Sequence, residues 1–307
     1  MVTRMPIFVI FVPITLIFIS LDIGYCQDFG YEGSEGPTFW GEKYSNCIGK
    51  LQSPIDIEED NIKVVQFDPL IFENFEKPLQ VVKLTNNGHT VMLSVTQGKS
   101  PKIYGGPLKG EYKFAQLHFH WGTNDTEGSE NTINHQRFPL ELHMVFFNTQ
   151  YEDFNNAINF GDGLSVLSFL YSVRETNNSN YEGFEFALGK VREAQSSTDL
   201  DDFVSLDEFT TMEREAYFTY EGSLTTPPCS EVVIWIEFKN TIPLSSRQIE
   251  AFRHLSNGKG QLSHNFRPVQ PTNDRIIYMN AQSESAATIT TNNYFTMTIL
   301  LTIVCNI

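Results

Sequence analysis

Three histidines in two short stretches of the chain have the residue type and spacing of a metal site. The first stretch, 116–121, contains His118 and His120, whose side chains would share one face of an extended strand because alternate residues point the same way. In the second stretch, 140–147, Glu141 and His143 would share a face for the same reason. If the two strands pair, three imidazoles converge. Three neutral nitrogen ligands, with a fourth position left to water, are typical of a catalytic zinc.

Strand histidines also have a more ordinary interpretation, as hydrogen-bonded polar side chains that bind no metal. A His-x-His pair by itself is weak evidence for a ligand set. The surrounding motifs therefore decide between the two interpretations.

Several separated motifs accompany the histidines in a fixed order along the chain. They are Gln-Ser-Pro-Ile-Asp-Ile at 52–57, Asn-Asn-Gly-His at 86–89, Ser-Glu-Asn-Thr-Ile at 129–133, Glu-Leu-His-Met-Val at 141–145, Gly-Ser-Leu-Thr-Thr-Pro-Pro at 222–228 and Asn-Phe-Arg-Pro-Val-Gln-Pro at 265–271. With them the chain closely resembles the α-class carbonic anhydrases, in particular the secreted and lipid-anchored branch, from about residue 29 to about residue 278.

The resemblance implies a zinc enzyme that interconverts CO2 and bicarbonate through a zinc-bound hydroxide. It makes His118, His120 and His143 the Zn²⁺ ligands. It makes Thr225 the hydroxyl that accepts a hydrogen bond from the hydroxide, and Glu130 the carboxylate that accepts from Thr225 in turn. Away from these motifs, Thr225 would be an ordinary turn residue and Glu130 a surface carboxylate.

A proton must leave after each turnover, and an imidazole titrates near the ambient pH. The resemblance puts His89 at the proton-shuttle position, with Tyr31 and Asn87 at positions that hold the shuttle's water network. A histidine after Asn-Gly would otherwise be a turn residue.

Metal-bound imidazoles need their outer nitrogen held by a neighbouring group. The resemblance assigns this part to Gln116 for His118 and to Glu141 for His143. It also implies an apolar pocket that receives CO2, for which plain core packing is the alternative. The residues of this pocket are Val145, Val166, Leu224, Thr226 and Trp235.

Two departures from the family pattern affect the expected cavity. Asn131 stands where many members have histidine, and we expect this change to loosen a buried polar network. Met92 makes one flank of the cavity more apolar. The remaining histidines, His135, His254 and His264, match no catalytic position, and we interpret them as structural.

The pattern of β-branched and aromatic runs predicts a sheet-dominated single domain spanning residues 27–280. The predicted strands are 90–95, 112–121, 140–147, 164–173 and 232–238. One helix is predicted over 246–255, where Ser245 and Gln248 form a capping box before an apolar stripe. The fold that the resemblance implies is mainly β (α+β), with a large, mostly antiparallel twisted sheet and peripheral helices.

The charge balance argues against nucleic acid as a partner. The chain has 21 Lys and Arg against 37 Asp and Glu, a formal charge of −16, which would repel a phosphate backbone.

The two ends of the chain are predicted to be processing signals. Residues 1–26 have one early basic residue and then an apolar run, as in a secretory signal peptide, although a membrane-anchoring first helix is the alternative. Residues 281–307 have small residues, a polar spacer and a short apolar terminus, as in a signal that is exchanged for glycosylphosphatidylinositol. A poor transmembrane helix or an unprocessed tail are the alternatives. Contact with a membrane is expected only through this anchor, at the extracellular surface.

Processing would remove two of the four cysteines and leave Cys47 and Cys229. Two cysteines in an oxidising compartment normally form a bridge, and the secreted branch of the resembled family has a disulfide at these positions. Asn124 and Asn177 match the N-glycosylation pattern in polar segments.

The sequence thus predicts an active, extracellular zinc carbonic anhydrase. A non-catalytic relative used for adhesion or ligand binding is one alternative, since the fold includes members that lost a zinc histidine, whereas this chain keeps all three. A three-histidine zinc hydrolase that acts mainly on esters is another.

Overall fold

A computed structural model describes residues 29–97, 100–200, 204–211 and 213–280 of the chain. Within them, most strands belong to one 12-stranded sheet, and a second sheet has two strands. The helices are short and lie around the large sheet, so the predicted mainly β fold is confirmed. The predicted signal peptide and C-terminal tail, with Cys26 and Cys305, lie outside the described residues.

Fourteen strands are formed by the described residues. They are β1 (Asp56–Ile57), β2 (Lys63–Val65), β3 (Ile71–Glu73), β4 (Gln80–Asn86), β5 (Val91–Gln97), β6 (Lys102–Tyr104), β7 (Tyr112–Trp121), β8 (Thr132–Ile133), β9 (Leu140–Asn148), β10 (Leu164–Arg174), β11 (Ser197–Leu200), β12 (Tyr217–Gly222), β13 (Val233–Ser245) and β14 (Tyr278–Asn280).

The large sheet runs in the order β11-β4-β5-β7-β9-β10-β13-β12-β14-β2, and β6 pairs with both β7 and β3. Most neighbouring strands are antiparallel, as predicted. The exceptions are the parallel pairs β10–β13 and β14–β2 in this sheet and β1–β8 in the small sheet.

The part of the chain that the structure describes forms four short α-helices outside the sheet: α1 (Trp40–Lys43), α2 (Phe154–Ala157), α3 (Glu182–Leu188) and α4 (Ser246–Arg253). Helix α4 has the predicted capping box, in which the Ser245 hydroxyl accepts from the Gln248 N–H at 3.2 Å and Gln248 Oε1 accepts from the Ser245 N–H at 3.3 Å. Its last residue, Arg253, lies two positions before the predicted end.

The predicted strands agree with the structure except at the C-terminal end of β13. Strand β7 has the predicted bounds, and β5, β9 and β10 differ from theirs by one or two residues. Strand β13 continues seven residues beyond the predicted 238 because its second half pairs with β10 after a register shift at Phe169–Tyr171. That pairing is a long-range contact, which a local pattern does not contain.

The sheet separates two apolar clusters, as the alternation of side chains along a strand requires. On β9, Leu142, Met144 and Phe146 belong to the larger cluster. Val145 belongs to the smaller cluster on the opposite face, together with Val166 and Trp235. The candidate metal ligand His143 shares the face of Val145, so this site lies beside the smaller cluster.

The predicted disulfide between Cys47 and Cys229 is present, with the two Cα atoms 4.9 Å apart. Both cysteines are buried among Phe29 and Trp40. The bridge joins the N-terminal segment to the loop between β12 and β13, across 182 residues of sequence.

None of the helices formed by the described residues has the length and apolar character needed to cross a bilayer.

Because the disulfide closes so long a loop, its removal should enlarge the conformational freedom of the unfolded chain. We expect the double variant Cys47→Ser/Cys229→Ser to lose about 2–5 kcal/mol of unfolding free energy, measured by urea denaturation of residues 27–280. Reduction of the unsubstituted protein is the control. It should lower the melting temperature by about as much as the double substitution does. Two reactive thiols in the native, unreduced protein would contradict the bridge.

Candidate functional site

The strand register brings the three predicted ligands together on one face of the sheet. His118 on β7 lies directly opposite His143 on β9, and His120 lies opposite Glu141. The ring centroid of His118 lies 5.0 Å from that of His120 and 5.2 Å from that of His143. The ring centroids of His120 and His143 are 4.5 Å apart. The two strands pair without interruption from Gln116 to Trp121, beyond a register shift between Phe114 and Gln116, so backbone hydrogen bonds fix this arrangement.

Each imidazole has one nitrogen hydrogen-bonded to an acceptor of the protein. His118 Nδ1 donates to Gln116 Oε1 at 2.9 Å, and His143 Nε2 donates to Glu141 Oε1 at 2.7 Å. These are the two partners predicted from the sequence. His120 Nδ1 donates to the backbone carbonyl of Asn265 at 2.8 Å. When one nitrogen of a neutral imidazole carries the proton and donates it to an acceptor, the other nitrogen carries the lone pair.

The remaining nitrogens, His118 Nε2, His120 Nε2 and His143 Nδ1, are the ligand atoms available to a metal. One such atom from each ring lies within 4.8 Å of the others, and His120 Nε2 is buried with no hydrogen-bond partner in the described parts of the chain. Burial, followed by the neighbouring imidazoles, lowers the pKa of His118 well below its usual value and that of His120 to about 3. Neutral rings of this kind fit a divalent metal with a preference for nitrogen, such as Zn²⁺.

Behind His143, the buried Glu141 carboxylate accepts five hydrogen bonds. Oε1 accepts from His143 Nε2, and from Ser168 Oγ and Asn131 Nδ2 at 2.8 Å each. Oε2 accepts from the backbone N–H groups of Glu130 at 2.7 Å and Asn131 at 2.8 Å. Burial opposes ionisation, but the His143 imidazole and the hydrogen bonds from His143 and Ser168 lower the pKa of Glu141 overall. Glu141 is therefore held as a fixed carboxylate.

Asn131 does not loosen the polar network, contrary to our expectation. Its amide nitrogen donates to Glu141 Oε1 at 2.8 Å and to Glu237 Oε2 at 3.1 Å. Its amide oxygen accepts from the Tyr220 hydroxyl at 2.9 Å and from the Ile55 N–H at 3.2 Å. Both N–H groups and the oxygen of this amide are therefore hydrogen-bonded. The second N–H has a partner because Glu237 provides an acceptor that the sequence analysis did not identify.

Met92, the other departure, lies opposite His118 in the β5–β7 register and is half-buried. It therefore occupies the face that carries the ligands, as expected for an apolar flank.

Glu130 and Thr225 are both buried, and Glu130 lies beside the histidines, with Oε1 3.3 Å from His120 Nδ1. Glu130 Oε1 accepts from the Arg267 N–H at 2.8 Å, and Oε2 has no hydrogen-bond partner among the described residues. Burial and the Glu141 charge raise the pKa of Glu130, while the Thr225 hydroxyl and Arg267 act in the opposite direction. The Thr225 hydroxyl thus favours the charged form of this carboxyl.

The loop that carries Thr225 is fixed at both ends. Ser223 and Ser53 exchange two hydrogen bonds, from Ser53 N–H to Ser223 Oγ at 2.9 Å and from Ser223 N–H to Ser53 Oγ at 3.1 Å. At the other end, Cys229 forms the disulfide and its N–H donates to the Thr226 carbonyl at 2.9 Å. The position of Thr225 thus depends on contacts with the N-terminal segment.

His89 lies in a cleft of about 500 Å³ that is also lined by Phe29, Tyr31, Asn87 and His264. Its ring stacks on Phe29, with centroids 4.1 Å apart. Asn87 Oδ1 accepts from the N–H of His89 at 2.9 Å, which fixes the turn before β5. Burial, followed by the Glu130 charge, raises the pKa of Tyr31. The predicted shuttle residues are therefore neighbours in one cleft.

Asn265 and Arg267 have connecting roles that the sequence analysis did not assign. The Asn265 side chain donates to the carbonyls of His89 at 3.0 Å and Phe119 at 2.9 Å, while its own carbonyl holds His120. The buried Arg267 guanidinium donates to Gln52 Oε1 and to the Cys47 carbonyl, at 2.9 Å each. Both residues lie in the 265–271 motif, which was the only sequence signal for them.

The residues predicted for the CO2 pocket lie next to one another across neighbouring strands. Val145 lies opposite Val166, and Val166 lies opposite Trp235. All three are buried, and the Trp235 ring lies 4.8 Å from that of His143. Leu224 is half-buried against the same cluster, and Thr226 is half-buried in the adjoining loop.

The other predicted positions lie on the surface or away from the ligands. His135 forms an ion pair with Asp56, and His254 lies 3.8 Å from Glu250. His135, Asp56 and Glu58 also form a second group of ligand type, but Asp56 already accepts from Thr132 and His135. The predicted glycosylation sites, Asn124 and Asn177, are both exposed.

Comparison with known proteins shows a consistent similarity. The sequence profile of the eukaryotic-type carbonic anhydrases matches residues 35–281. Carbonic anhydrase 6 of Mus musculus is 33% identical over 263 residues, which cover 83% of this chain and 81% of that protein. Carbonic anhydrase 12 of Homo sapiens is 35% identical over 262 residues, which cover 81% of this chain and 72% of that protein.

Proposed function

Because this chain belongs to the eukaryotic-type carbonic anhydrase family, we propose that it catalyses the reversible hydration of CO2 to bicarbonate and a proton. One observation above all supports the proposal. Three imidazoles meet on one sheet face, and each has its outer nitrogen hydrogen-bonded and one nitrogen left as a ligand.

His118 Nε2, His120 Nε2 and His143 Nδ1 would hold Zn²⁺. The chemistry that zinc supplies when bound is Lewis acidity, which makes hydroxide available from water near neutral pH. Gln116, Glu141 and the Asn265 carbonyl fix the ring orientations, so that the three ligand atoms keep their mutual geometry.

Thr225 and Glu130 would orient the nucleophile. If Thr225 donates its single hydroxyl proton to Glu130, its oxygen can only accept from the attacking hydroxide. One lone pair of the nucleophile is then directed toward the CO2 carbon. This orientation contributes to the rate through positioning.

The apolar surface of Val145, Val166 and Trp235, extended by Leu224 and Thr226, would receive CO2. CO2 carries no net charge, so a buried apolar surface next to the ligands can hold it and exclude competing water.

His89 would carry the proton away from the site. It lies in a cleft with Tyr31 and Asn87, whose polar groups would support a chain of water molecules between the metal centre and the imidazole. This role is separate from the hydration step, so the two can be tested separately.

The proposed function is tested by stopped-flow CO2 hydration on residues 27–280, with zinc analysis and with ester hydrolysis measured in parallel. We expect rapid hydration with one zinc per chain and much slower ester turnover. Ester turnover without CO2 hydration would favour the hydrolase alternative, and a zinc-free, inactive protein would favour the non-catalytic one.

Replacement of any one of His118, His120 and His143 by Ala should abolish tight zinc binding and CO2 hydration, because only two protein ligands would remain for the metal. Glu141→Ala should be milder, with a loss of about 10- to 100-fold in zinc affinity or activity. Zinc content by mass spectrometry and stopped-flow rates provide the readout. The matched control is the exposed His254→Ala, which should behave as the unsubstituted protein. A ligand variant with one zinc per chain and normal turnover would contradict the assignment.

His89→Ala should lower kcat by about 10- to 100-fold in weak buffer and leave kcat/KM for CO2 nearly unchanged, since the hydration steps do not use it. Imidazole buffer should restore much of the loss. Thr225→Ala should instead lower kcat/KM by about 100-fold, and Thr225→Ser should largely recover it.

His264→Ala is the control for the shuttle, because His264 lines the same cleft and is expected to have no relay role. Equal decreases of kcat and kcat/KM in His89→Ala, without rescue by imidazole, would show that His89 acts only in the structure of the cleft.

For the rest of the chain we propose an extracellular enzyme with three parts. Residues 1–26 are a secretory signal peptide, 27–280 the catalytic domain and 281–307 a signal for glycosylphosphatidylinositol attachment. The Cys47–Cys229 bridge supports passage through an oxidising compartment, and exposed Asn124 and Asn177 are accessible to glycosylation.

Treatment of cells that express the full chain with a phosphatidylinositol-specific phospholipase should release the enzyme, because the lipid would be its only attachment. Activity in the medium and on the cells is measured before and after digestion. A variant that ends at residue 280 is the control and should be secreted without treatment. Retention on the cells, with Cys305 still detected by mass spectrometry, would show that the tail is kept.

A further inference from the structure

Arg267 is a buried cation to which the proposed function assigns no part. Only 2% of the residue is exposed. Burial of a charged group costs free energy unless its partners replace the water that it loses, and a buried charge is weak evidence for stability by itself. The arrangement of its hydrogen-bond partners therefore indicates what Arg267 does.

The Arg267 guanidinium binds three oxygen atoms of the N-terminal segment. Nη1 donates to Gln52 Oε1 and to the Ser53 carbonyl, and Nη2 donates to the Cys47 carbonyl, at 2.9 Å each. The guanidinium also lies over the Trp40 ring, 5.6 Å from its centroid. These three oxygens are neutral, so the contacts fix the position of the segment and form no ion pair.

Two of these partners continue to the loop that carries Thr225. Ser53 exchanges two hydrogen bonds with Ser223. Gln52 Nε2 donates to the Cys229 carbonyl at 3.2 Å. Thr225 lies between Ser223 and Cys229 in the chain, so both flanks of its loop are linked to the guanidinium through one intervening residue.

The main chain of Arg267 holds Glu130, with which the proposed function pairs Thr225. The Arg267 N–H donates to Glu130 Oε1 at 2.8 Å. Glu130 is fully buried, and its other carboxyl oxygen has no hydrogen-bond partner among the described residues. Arg267 thus fixes Glu130 through its backbone and the Thr225 loop through its side chain.

We propose that Arg267 is a positioning residue for CO2 hydration, which sets the position of the Thr225 hydroxyl relative to the Glu130 carboxylate. The inference rests on the proposed function, in which these two groups orient the nucleophile. Arg267 acts through Gln52 and Ser53, and it does not contact the reacting atoms.

The shape of the guanidinium explains why an arginine occupies this position. Its donors form a planar, rigid fork, whereas a lysine ammonium is a single charge on a flexible stem and cannot bind the same three oxygens in one fixed geometry. The disulfide alone does not replace this contact, because it fixes the loop only at Cys229. Misplacement of an orienting group by about 1 Å can cost about 100-fold in rate.

The test uses the full-length chain loaded with zinc and measures kcat/KM for CO2. Arg267→Lys and Gln52→Ala should each lower kcat/KM by about 10- to 100-fold. The rate of zinc loss to a chelator in excess should stay within about 2-fold of that of the unsubstituted protein, because the groups that hold the ligand rings are unchanged. In the Thr225→Ala background, Arg267→Lys should change kcat/KM by less than about 2-fold, since the group that it positions is absent.

A second readout depends neither on activity nor on the metal. Amide hydrogen exchange of residues 222–230 should be about 10-fold faster in Arg267→Lys, with and without zinc, because the loop opens more readily when a hydrogen bond that holds it is lost. Exchange in β10 should stay the same. A general loss of stability would accelerate exchange in both segments.

Arg275 provides the matched control. Its guanidinium donates to the Gln52 carbonyl at 2.8 Å and lies 5.6 Å from the centroid of the Tyr220 ring. It therefore resembles Arg267 in its contacts, but no hydrogen bond joins it to Glu130 in the part of the chain that the structure describes. Arg275→Lys should lower the melting temperature and leave kcat/KM nearly unchanged.

Four results would overturn the proposal. They are an unchanged kcat/KM in Arg267→Lys, an equally large loss in the Thr225→Ala background, an equally large loss in Arg275→Lys, and exchange that is accelerated in β10 as much as in the loop. Absence of CO2 hydration in the unsubstituted protein would instead overturn the proposed function. Hydrogen exchange would then decide whether Arg267 positions the loop, and equal exchange in Arg267→Lys and the unsubstituted protein would show that it does not.

Discussion

The pairing register of β7 with β9 is the constraint on which the rest of the site depends. Because successive side chains alternate between faces, a slip of one residue would send His143 into the larger apolar cluster and bring Leu142 or Met144 among the imidazoles. The register is held by apolar residues on the other face, such as Leu117 and Phe119, which are fully buried. Core packing and metal geometry are therefore consequences of the same alignment.

A second feature of the molecule is the concentration of buried acids behind the ligands. Glu130, Glu141 and Glu237 are all fully buried, and burial would normally exclude such groups. The His143 imidazole and the hydrogen bonds from His143 and Ser168 lower the pKa of Glu141 against the effect of burial, whereas burial and the Glu141 charge raise the pKa of the other two carboxyls. Glu141, which accepts from five donors, gives His143 a defined partner behind its ring.

The site is completed by segments that are far apart in the chain. Asn265 joins the turn of His89 to β7 and to the His120 ring, and Arg267 joins Glu130 to the N-terminal segment. The disulfide fixes the same N-terminal segment to the loop of Thr225. The sheet thus sets the metal ligands, while these long-range ties set the groups around them.

The sequence by itself was sufficient for the fold class, the ligand histidines, the partners of His118 and His143, and the disulfide. These follow from strand periodicity, from motifs that are local in the chain and from the family resemblance that those motifs carry. It was wrong about Asn131, and it did not identify Glu237, Ser168 or the full length of β13. Each of these depends on which residues of β10 and β13 lie side by side. Two parallel strands that are about 70 residues apart in sequence acquire that alignment only when the sheet assembles. The juxtaposition of their residues therefore has no local signal, and the tertiary structure alone decided it.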